Sequence, residues 1–358
     1  MPAAFHPLRV VEVRRETSDS VSLRLEPPAG AKALFGFKAG QHLTVRAEIG
    51  GQEVRRNYSV CAAPQDGELR IAIKQIDGGV FSGWANRELA AGALLEAMPP
   101  HGAFTFPFDP AAVRAYVAFA GGSGITPILS LARTCLLTEP KSRFSLFYGN
   151  RAAAQVMFLE ELAGLKNRFM DRFELMHVLE DEEDESDILN GRLDRAKIDE
   201  ILSRLVRPAG IEAFFVCGPG PMMDAAEAAL AAAGVRPDRI RIERLITSPL
   251  SAAKSAQARA LEAAARGRRM TVILDGRRAK VAFDAELGSI LESARAAGLP
   301  APFACKGGVC ATCRARVVEG EAKMKANYAL TPAEVASGYV LTCQAVPAGD
   351  GLVIDYDG

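Results

Sequence analysis

The chain has 358 residues, 43 basic and 43 acidic side chains, a formal net charge of zero and 49% hydrophobic residues. That length exceeds one ordinary core and predicts two or three domains, and the composition predicts a soluble globular protein. The balanced charge argues against nucleic acid as a partner, the lack of an apolar run of roughly 18 residues argues against a membrane-spanning helix, and the opening residues carry no export-signal pattern.

Residues 5–107 read as all-β. The alternating runs LRVVEVRRET, VSLRLEPP, GQHLTVRAEIGG, EVRRNYSVCAAP and LRIAIKQID are parted by Gly, Pro and Asp turns, which predicts a small antiparallel barrel. Within RRNYSV, Arg56 and Tyr58 share one side of a strand and Ser59 takes the other. A flavin needs a cation for its pyrophosphate, an aromatic face for its ring and a hydrogen bond near its reactive nitrogen. This short pattern supplies all three, although a solvated arginine beside a half-buried tyrosine explains it equally. Further on, GGVFSGWAN reads as a Gly-rich turn opening a short helix, whose N–H groups around Val80, Phe81 and Ser82 can cradle a phosphate.

From about residue 111 the pattern changes. AAVRAYVAFAGG is a continuous apolar run, hence a buried parallel strand, and strands then alternate with helices to about residue 248. That predicts a doubly wound α/β domain. FAGGSGITP (119–127) joins a strand to a helix starting at Pro127, and Gly121, Gly122 and Gly124 let a pyrophosphate come close to the backbone. A plain tight turn is the alternative. At the end of the second strand, YGNRAAA shows Asn150 and Arg151 where an NAD enzyme often has an acid; Arg151 suits a 2′-phosphate and so favours NADPH, a simply solvated arginine being the alternative. VCGPGPMM puts Cys217, Gly218 and Pro219 at the carboxyl ends of the sheet, where ligands bind, though Cys217 also suits a small buried hydrophobe. The acidic run EDEEDESD (180–187) reads as a solvated loop, and residues 249–267, rich in Ala, Ser and Arg, as a partly helical linker.

The last stretch reads strand, turn at Asp275–Gly276, strand, and a helix from about Ser289, a β-grasp outline. Seven cysteines, an odd number crowded toward this end, suggest a cytoplasmic metal protein rather than a secreted disulfide framework. Cys305, Cys310 and Cys313 follow the spacing C-x4-C-x2-C, and Cys343 follows after 29 intervening residues near the end of a predicted strand. This is plant-type [2Fe–2S] ligand spacing; structural zinc prefers paired C-x-x-C knuckles. Gly307 and Gly308 let the loop curl its N–H groups toward the sulfurs.

These motifs resemble the ferredoxin–NADP reductase family carrying a C-terminal plant-type ferredoxin. The implied fold is multidomain: an antiparallel FAD-binding β-barrel (1–109), a doubly wound NAD(P)-binding α/β domain (110–248), a linker (249–267) and a β-grasp [2Fe–2S] domain (268–358). By that resemblance Arg56 and Ser82 contact the FAD pyrophosphate, Tyr58 stacks on the isoalloxazine, and Ser59 sits by its reactive edge. Ile73 and Lys74 border the flavin. The loop with Gly121, Gly122, Gly124 and Thr126 takes the nucleotide, Cys217 approaches the nicotinamide, and Glu243 is an acid near the flavin. Leu245 departs from the family, which often has an aromatic residue there.

The order barrel, nucleotide domain, ferredoxin is that of reductase components of multicomponent oxygenases. PFACKGGVCATC, NYAL, GYVLTCQA and LFYGNR are most similar to the reductase subunits of phenylacetyl-CoA epoxidases, which serve a separate di-iron oxygenase. The resemblance implies a relay: NADPH gives paired electrons, FAD takes two and releases them singly, and a low-potential cluster hands them to the partner. Other ring hydroxylases, Rieske oxygenases or desaturases are the alternative partners. A redox sensor with vestigial reductase domains, or a flavin reductase releasing free reduced flavin, are the readings from other classes.

Overall fold

A computed structural model describes residues 5–244 and 252–358, side chains being described from residue 256 in the second stretch. The described residues divide into two compact units, 5–244 and 252–358.

The first unit opens with β1 (His6–Thr17), β2 (Ser20–Glu26), β3 (His42–Ile49), β4 (Gln52–Ser59), β5 (Leu69–Lys74), α1 (Val80–Arg87) and β6 (Leu94–Ala97). They form a six-stranded antiparallel sheet in the order β4-β3-β6-β1-β2-β5. An isolated bridge between Val60 and Ile71 links the continuation of β4 to β5 and curls the sheet on itself. Alternation drives the closure: Leu8, Val10, Leu23, Val45 and Ile71 point inward and are buried, while alternate neighbours face out.

The same unit continues with β7 (Ala115–Gly121), α2 (Ile125–Thr138), β8 (Arg143–Asn150), α3 (Leu159–Arg168), β9 (Phe173–Leu179), α4 (Arg195–Arg204), β10 (Ala213–Cys217), α5 (Gly220–Ala232) and β11 (Ile240–Glu243). The sheet is parallel, in the order β11-β10-β7-β8-β9. Its order reverses between β7 and β10, so the crevice beyond their carboxyl ends is the place a ligand enters. The central strands β7 and β10 are apolar throughout because both faces are covered, by one core that includes Ile128, Leu129 and Leu162 and by another that includes Ile198, Ile201 and Leu230. Helix α2 starts at Ile125, two residues before the expected Pro127, because a short 3-10 turn over Gly122–Gly124 already carries the chain into helical geometry.

The second unit comprises α6 (Ala252–Ala264), β12 (Arg269–Leu274), β13 (Arg277–Ala282), α7 (Ile290–Ala296), β14 (Arg314–Glu319), β15 (Ala322–Met324), α8 (Pro332–Ala336), β16 (Tyr339–Leu341), β17 (Ala345–Pro347) and β18 (Leu352–Asp355). A mixed sheet runs β13-β12-β18-β14-β16, with β15 and β17 as a separate pair. Asp275 and Gly276, both in the left-handed region at φ 51° and 70°, make the tight β12–β13 turn the sequence predicts. Ser289 caps α7 by accepting the Glu292 N–H at 3.1 Å. Of the stretch expected as a linker, α6 ends against this unit's own core through Leu261 and Ala265. Cys343 departs from its expected place: β16 ends at Leu341, and Cys343 lies in the turn leading to β17. A turn can aim a thiol inward where an extended strand would alternate it away.

Candidate functional site

On β4 the expected alternation holds. Tyr58 and Arg56 pair with Leu43 and Val45 on the face of the barrel core, while Ser59 and Asn57 pair with His42 and Thr44 on the opposite face. Tyr58 is half-buried, its ring 5.7 Å from that of Phe81, and burial holds its phenol above the usual value against the pull of Arg56. Arg56 is exposed and donates to the Arg55 carbonyl at 2.7 Å. Helix α1 makes its first turn bond from the Gly83 N–H to the Gly79 carbonyl, at 2.8 Å, leaving the N–H groups of Val80, Phe81 and Ser82 at the helix end. The Phe81 side chain is sunk in the barrel core, so only its backbone can serve an anion. Ser82 Oγ accepts the Ile76 N–H at 3.1 Å and lies 3.3 Å from the Gly79 carbonyl, pinning the Gly-rich turn. Ile73 is buried in the core, its carbonyl taken by Asn86 Nδ2 at 3.1 Å, and the Lys74 ammonium lies 3.6 Å from Asp19.

The outward face of β3 and β4 has a feature the motifs did not announce. Three polar atoms there are buried without any hydrogen-bond partner: His42 Nε2, Asn57 Nδ2 and Ser59 Oγ. Buried orphans are uncommon and costly, about 1–3 kcal/mol each, so a row of them is what a wall built to meet a polar ligand looks like. His42 is a residue the sequence reading missed. Its ring meets His101 edge-on at 4.4 Å, and its Nδ1 lies 3.6 Å from Glu243 Oε1 on β11. The signal was present as polar residues at alternate positions of HLT and NYS. An outward barrel face is polar whether solvent or a domain covers it, so the pattern alone does not single it out.

The glycines of the nucleotide loop turn out to serve packing as well as approach. A Cβ on Gly124 would overlap the Cys217 carbonyl oxygen, and one on Gly121 would meet Pro219 Cδ at 2.7 Å and Met222 Sδ at 2.8 Å. The loops after β7 and β10 therefore lie backbone against backbone at the switch point. Gly122 differs: it holds φ +50° and faces open space. Thr126 is buried and donates to the Ser123 carbonyl at 3.0 Å, closing its own turn. Cys217 is fully buried, and burial first, then Glu243, pushes its thiol well up, so it stands there as a neutral thiol. Gly218 is buried and Pro219 exposed. Asn150 ends β8 with its Nδ2 buried and unpartnered. Arg151 is exposed, and its carbonyl accepts the N–H groups of Glu180 and Asp181 at 3.1 and 2.7 Å, which moors the start of the acidic run. Arg192, and to a lesser extent Arg151, hold the Glu180 carboxyl below its usual range. Leu245 lies outside the described residues.

The four cysteines of the second unit arrive as two pairs. The Cys305 thiol hydrogen-bonds Cys310, which brings the Cys310 thiol down to about 4, and Cys343 does the same to Cys313, lowering it. In each pair the other thiol is pushed up, first by that same hydrogen bond, then by burial and by its partner's charge. Backbone N–H groups also reach the sulfurs and pull both thiols down, from Cys305 to Cys310 Sγ at 3.4 Å and from Gly307 to Cys305 Sγ at 3.3 Å. The loop reaches this shape through left-handed Lys306 (φ 54°), Gly308 (φ 81°) and Ala311 (φ 53°). Two of these carry a Cβ, a strain of about 1–2 kcal/mol each that the surrounding bonds hold in place. Gln344 Nε2 donates to the Lys306 carbonyl at 2.7 Å, and Thr342 Oγ1 to the Cys313 carbonyl at 2.9 Å. A two-iron cluster needs two thiolates per iron, and this donor set offers them two and two.

Comparison with known proteins agrees with this division of labour. Residues 7–106 match the oxidoreductase FAD-binding domain, 119–228 the oxidoreductase NAD-binding domain, and 272–348 the 2Fe-2S iron-sulfur cluster binding domain. The chain is 41% identical over 355 residues to a subunit of the 1,2-phenylacetyl-CoA epoxidase of Escherichia coli K12, covering 99% of this chain and 98% of that one. It is 31% identical to the ferredoxin reductase component of the 3-ketosteroid-9-alpha-monooxygenase of Rhodococcus rhodochrous, covering 98% and 96%. Among solved structures, phthalate dioxygenase reductase shares the fold at a TM-score of 0.60, 24% identity and 98% coverage of each chain.

Proposed function

The chain belongs to the oxidoreductases that join FAD-binding, NAD-binding and 2Fe-2S domains in one polypeptide as NAD(P)H-dependent reductase components of oxygenase systems, and from that premise we propose that it takes electrons from NADPH and supplies a di-iron oxygenase acting on phenylacetyl-CoA. The near-full-length likeness to the E. coli epoxidase component supports that substrate and partner. The observation that carries the outlet is the match of residues 272–348 to the 2Fe-2S cluster binding domain, together with the loop that turns the Cys305 and Gly307 N–H groups onto Cys310 Sγ and Cys305 Sγ at 3.4 and 3.3 Å.

When bound, FAD accepts two electrons and gives them up singly, and the two-iron cluster carries one at a time. The residues do the rest. Arg56, Ser82 and the N–H groups of Val80, Phe81 and Ser82 hold the FAD pyrophosphate, where cationic and helix-end donors suit a dianion. Tyr58 covers the ring, Ser59 offers its orphan hydroxyl to the reactive edge, and the strand end at Ile73 and Lys74 borders it. The crevice between β7 and β10 takes the nicotinamide nucleotide: Gly121, Gly122, Gly124 and Thr126 shape one lip, Cys217, Gly218 and Pro219 the other. Cys217, neutral and buried, excludes water beside Glu243. Asn150 and Arg151 select the 2′-phosphate. We place the domain boundaries at 1–109, 110–248 and 268–358, with 249–267 as the tether. A tether raises the local concentration of the ferredoxin domain near its electron source. Among the described residues no helix is long and apolar enough to cross a membrane.

The test separates inlet from outlet. Cys310→Ser should abolish cytochrome c reduction while leaving NADPH–ferricyanide turnover; equal loss of both, with FAD and fold intact, contradicts the serial order. Epoxidation of phenylacetyl-CoA by a di-iron oxygenase supplied by this chain tests the partner. A second reading, another oxygenase as partner, is favoured by the 31% identical relative named for a steroid monooxygenase; co-purification decides between them.

A further inference from the structure

We infer that Tyr148, which itself touches no ligand, is a positioning residue for the nicotinamide nucleotide: by holding the Gly122 carbonyl it aims the Ser123 N–H at the pyrophosphate. The inference deepens the reading above and rests on the nucleotide entering between β7 and β10. It concerns the part that NADH and NADPH share, so it stands whichever of the two the chain prefers.

The local geometry leads to it. Tyr148 lies on β8 opposite Ala120 of β7, fully buried in the core that α2 covers. Its hydroxyl reaches past the strand end and donates to the Gly122 carbonyl at 2.9 Å. A peptide unit is planar and trans, so its C=O and N–H point opposite ways. The Gly122 carbonyl turns toward the core, and the N–H of the same unit, which belongs to Ser123, therefore points out of it. Gly122 shows which side is open: it takes φ +50°, and a Cβ there would meet nothing within 4 Å. The next unit is held in the same manner, since Thr126 Oγ1 donates to the Ser123 carbonyl at 3.0 Å. Two successive carbonyls are thus tied by side chains just ahead of the first turn of α2, the end of a helix that favours an anion.

The hydroxyl is what sets this tyrosine apart from a packing residue. A buried hydroxyl costs stability unless it is bonded, and phenylalanine would fill the same space without that cost. His177, opposite Tyr148 on β9, packs its ring 5.9 Å away and helps to fix the phenol. Burial pushes the Tyr148 phenol up, while the Asn150 side chain and the Met157 N–H pull against it. Donors facing the oxygen leave its single proton for the Gly122 carbonyl, so the contact runs one way. The Gly122 carbonyl also accepts the Ile125 N–H. Loss of the hydroxyl therefore frees the unit to rock without leaving a carbonyl orphaned, and the larger effect falls on aim rather than on stability.

The experiment uses the full chain with FAD bound. Tyr148→Phe keeps the ring and removes the donor. It should raise the KM for NADPH and for NADH by the same factor, about tenfold, as befits one misdirected hydrogen bond to a charged group. The kcat should change by less than about twofold, since the contact is made equally in ground and transition states. Inhibition by 2′-AMP, which carries the adenosine 2′-phosphate and no pyrophosphate, should be unchanged; adenosine replaces it if the chain prefers NADH. A merely structural defect would weaken fragment and dinucleotide together and loosen FAD. Unchanged KM values, or parallel weakening of the fragment, overturn the inference. If Tyr148→Phe does not fold, Tyr148→meta-fluorotyrosine keeps the hydroxyl and decides: its fluorine resonance should move with the dinucleotide and stay still with the fragment. A resonance that stays still with both, or moves alike with both, also overturns the inference. A chain that oxidises neither NADPH nor NADH sinks the functional reading instead. One that prefers NADH sinks only the role given to Arg151, so the failures are distinguishable.

Discussion

Arg70 on β5 gives both terminal guanidinium nitrogens to the Glu161 carboxylate on α3, at 2.8 and 2.7 Å. Burial pulls the Arg70 pKa down, but the hydrogen bonds it donates to Glu161, together with the nearby negative charges of Glu161 and Glu68, leave the group above its ordinary value. Glu161 also accepts Arg133 Nη1 at 2.8 Å, while Arg133 Nε reaches Asp66 at 3.0 Å. One acid therefore ties a barrel strand to two helices of the nucleotide domain. Ser130 Oγ donating to the Ala62 carbonyl at 2.6 Å adds a neutral tie beside it.

Glu161→Gln should therefore destabilise the first unit by about 3–5 kcal/mol, the usual cost of leaving one partner of a buried pair uncompensated. Both side chains are only 12% and 13% exposed, so solvent cannot substitute for the lost charge. Thermal melting followed by Trp84 fluorescence reads this directly, since Trp84 lies on α1 and is the chain's one tryptophan. A change under about 1 kcal/mol, the scale of an ordinary surface substitution, would show that the clasp is ornamental.

The two loop glycines should part company on substitution. Gly124 has ordinary helical φ, but its Cβ would collide with the Cys217 carbonyl, so Gly124→Ala must push the two loops apart. Gly122 has φ +50° with nothing near, so Gly122→Ala meets only backbone strain of about 1 kcal/mol. Gly124→Ala should cost several times more stability and raise the KM for NADPH far more than Gly122→Ala. Equal effects on KM would mean that loop contact does not shape the crevice.

The sequence made the 2Fe-2S domain, the alternation of strands and helices and the Asp275–Gly276 turn legible because each depends on local spacing. The short strand β6 went unread: four residues give too little periodicity, yet it pairs with both β1 and β3. The His42 wall and the Glu161 clasp were not legible either. Both depend on which outward faces are covered by another domain, and polarity alone does not distinguish a solvated face from a buried polar one. For the same reason the glycines of the nucleotide loop read as room for ligand approach, while two of them, Gly121 and Gly124, are set by contact with the loop after β10.

Arg151 provides a test of nucleotide choice. Its backbone is moored by Glu180 and Asp181 while its side chain is exposed at the end of β8. An exposed guanidinium can pair bidentately with a 2′-phosphate and has nothing comparable to grip on a ribose hydroxyl. Arg151→Ala should raise the KM for NADPH about tenfold or more, the loss of one charge-assisted contact of roughly 1.5–3 kcal/mol, and leave the KM for NADH nearly unchanged. An equal change in both would remove Arg151 from phosphate recognition.

Cys61 predicts a particular alkaline instability. It is fully buried, its thiol donates to the Arg70 carbonyl at 3.3 Å, and burial pushes its pKa from 9.0 up to about 12 against the pull of Arg70. The folded-state value is raised, so the folded chain keeps a proton that the unfolded chain loses. The stability linked to this thiol is complete below pH 9 and is lost as pH rises from 9 toward 12. The slope is roughly 1.4 kcal/mol per pH unit for one group. Cys135 and Cys217 are buried thiols pushed up in the same way, so the parent chain should weaken more steeply than one group allows. Cys61→Ala should begin less stable at pH 8.5, having lost its sulfur contacts, and then close the gap by roughly 2 kcal/mol by pH 10.5. Urea denaturation followed by Trp84 fluorescence at the two pH values measures it, and a gap that does not narrow would place the Cys61 thiol in contact with solvent.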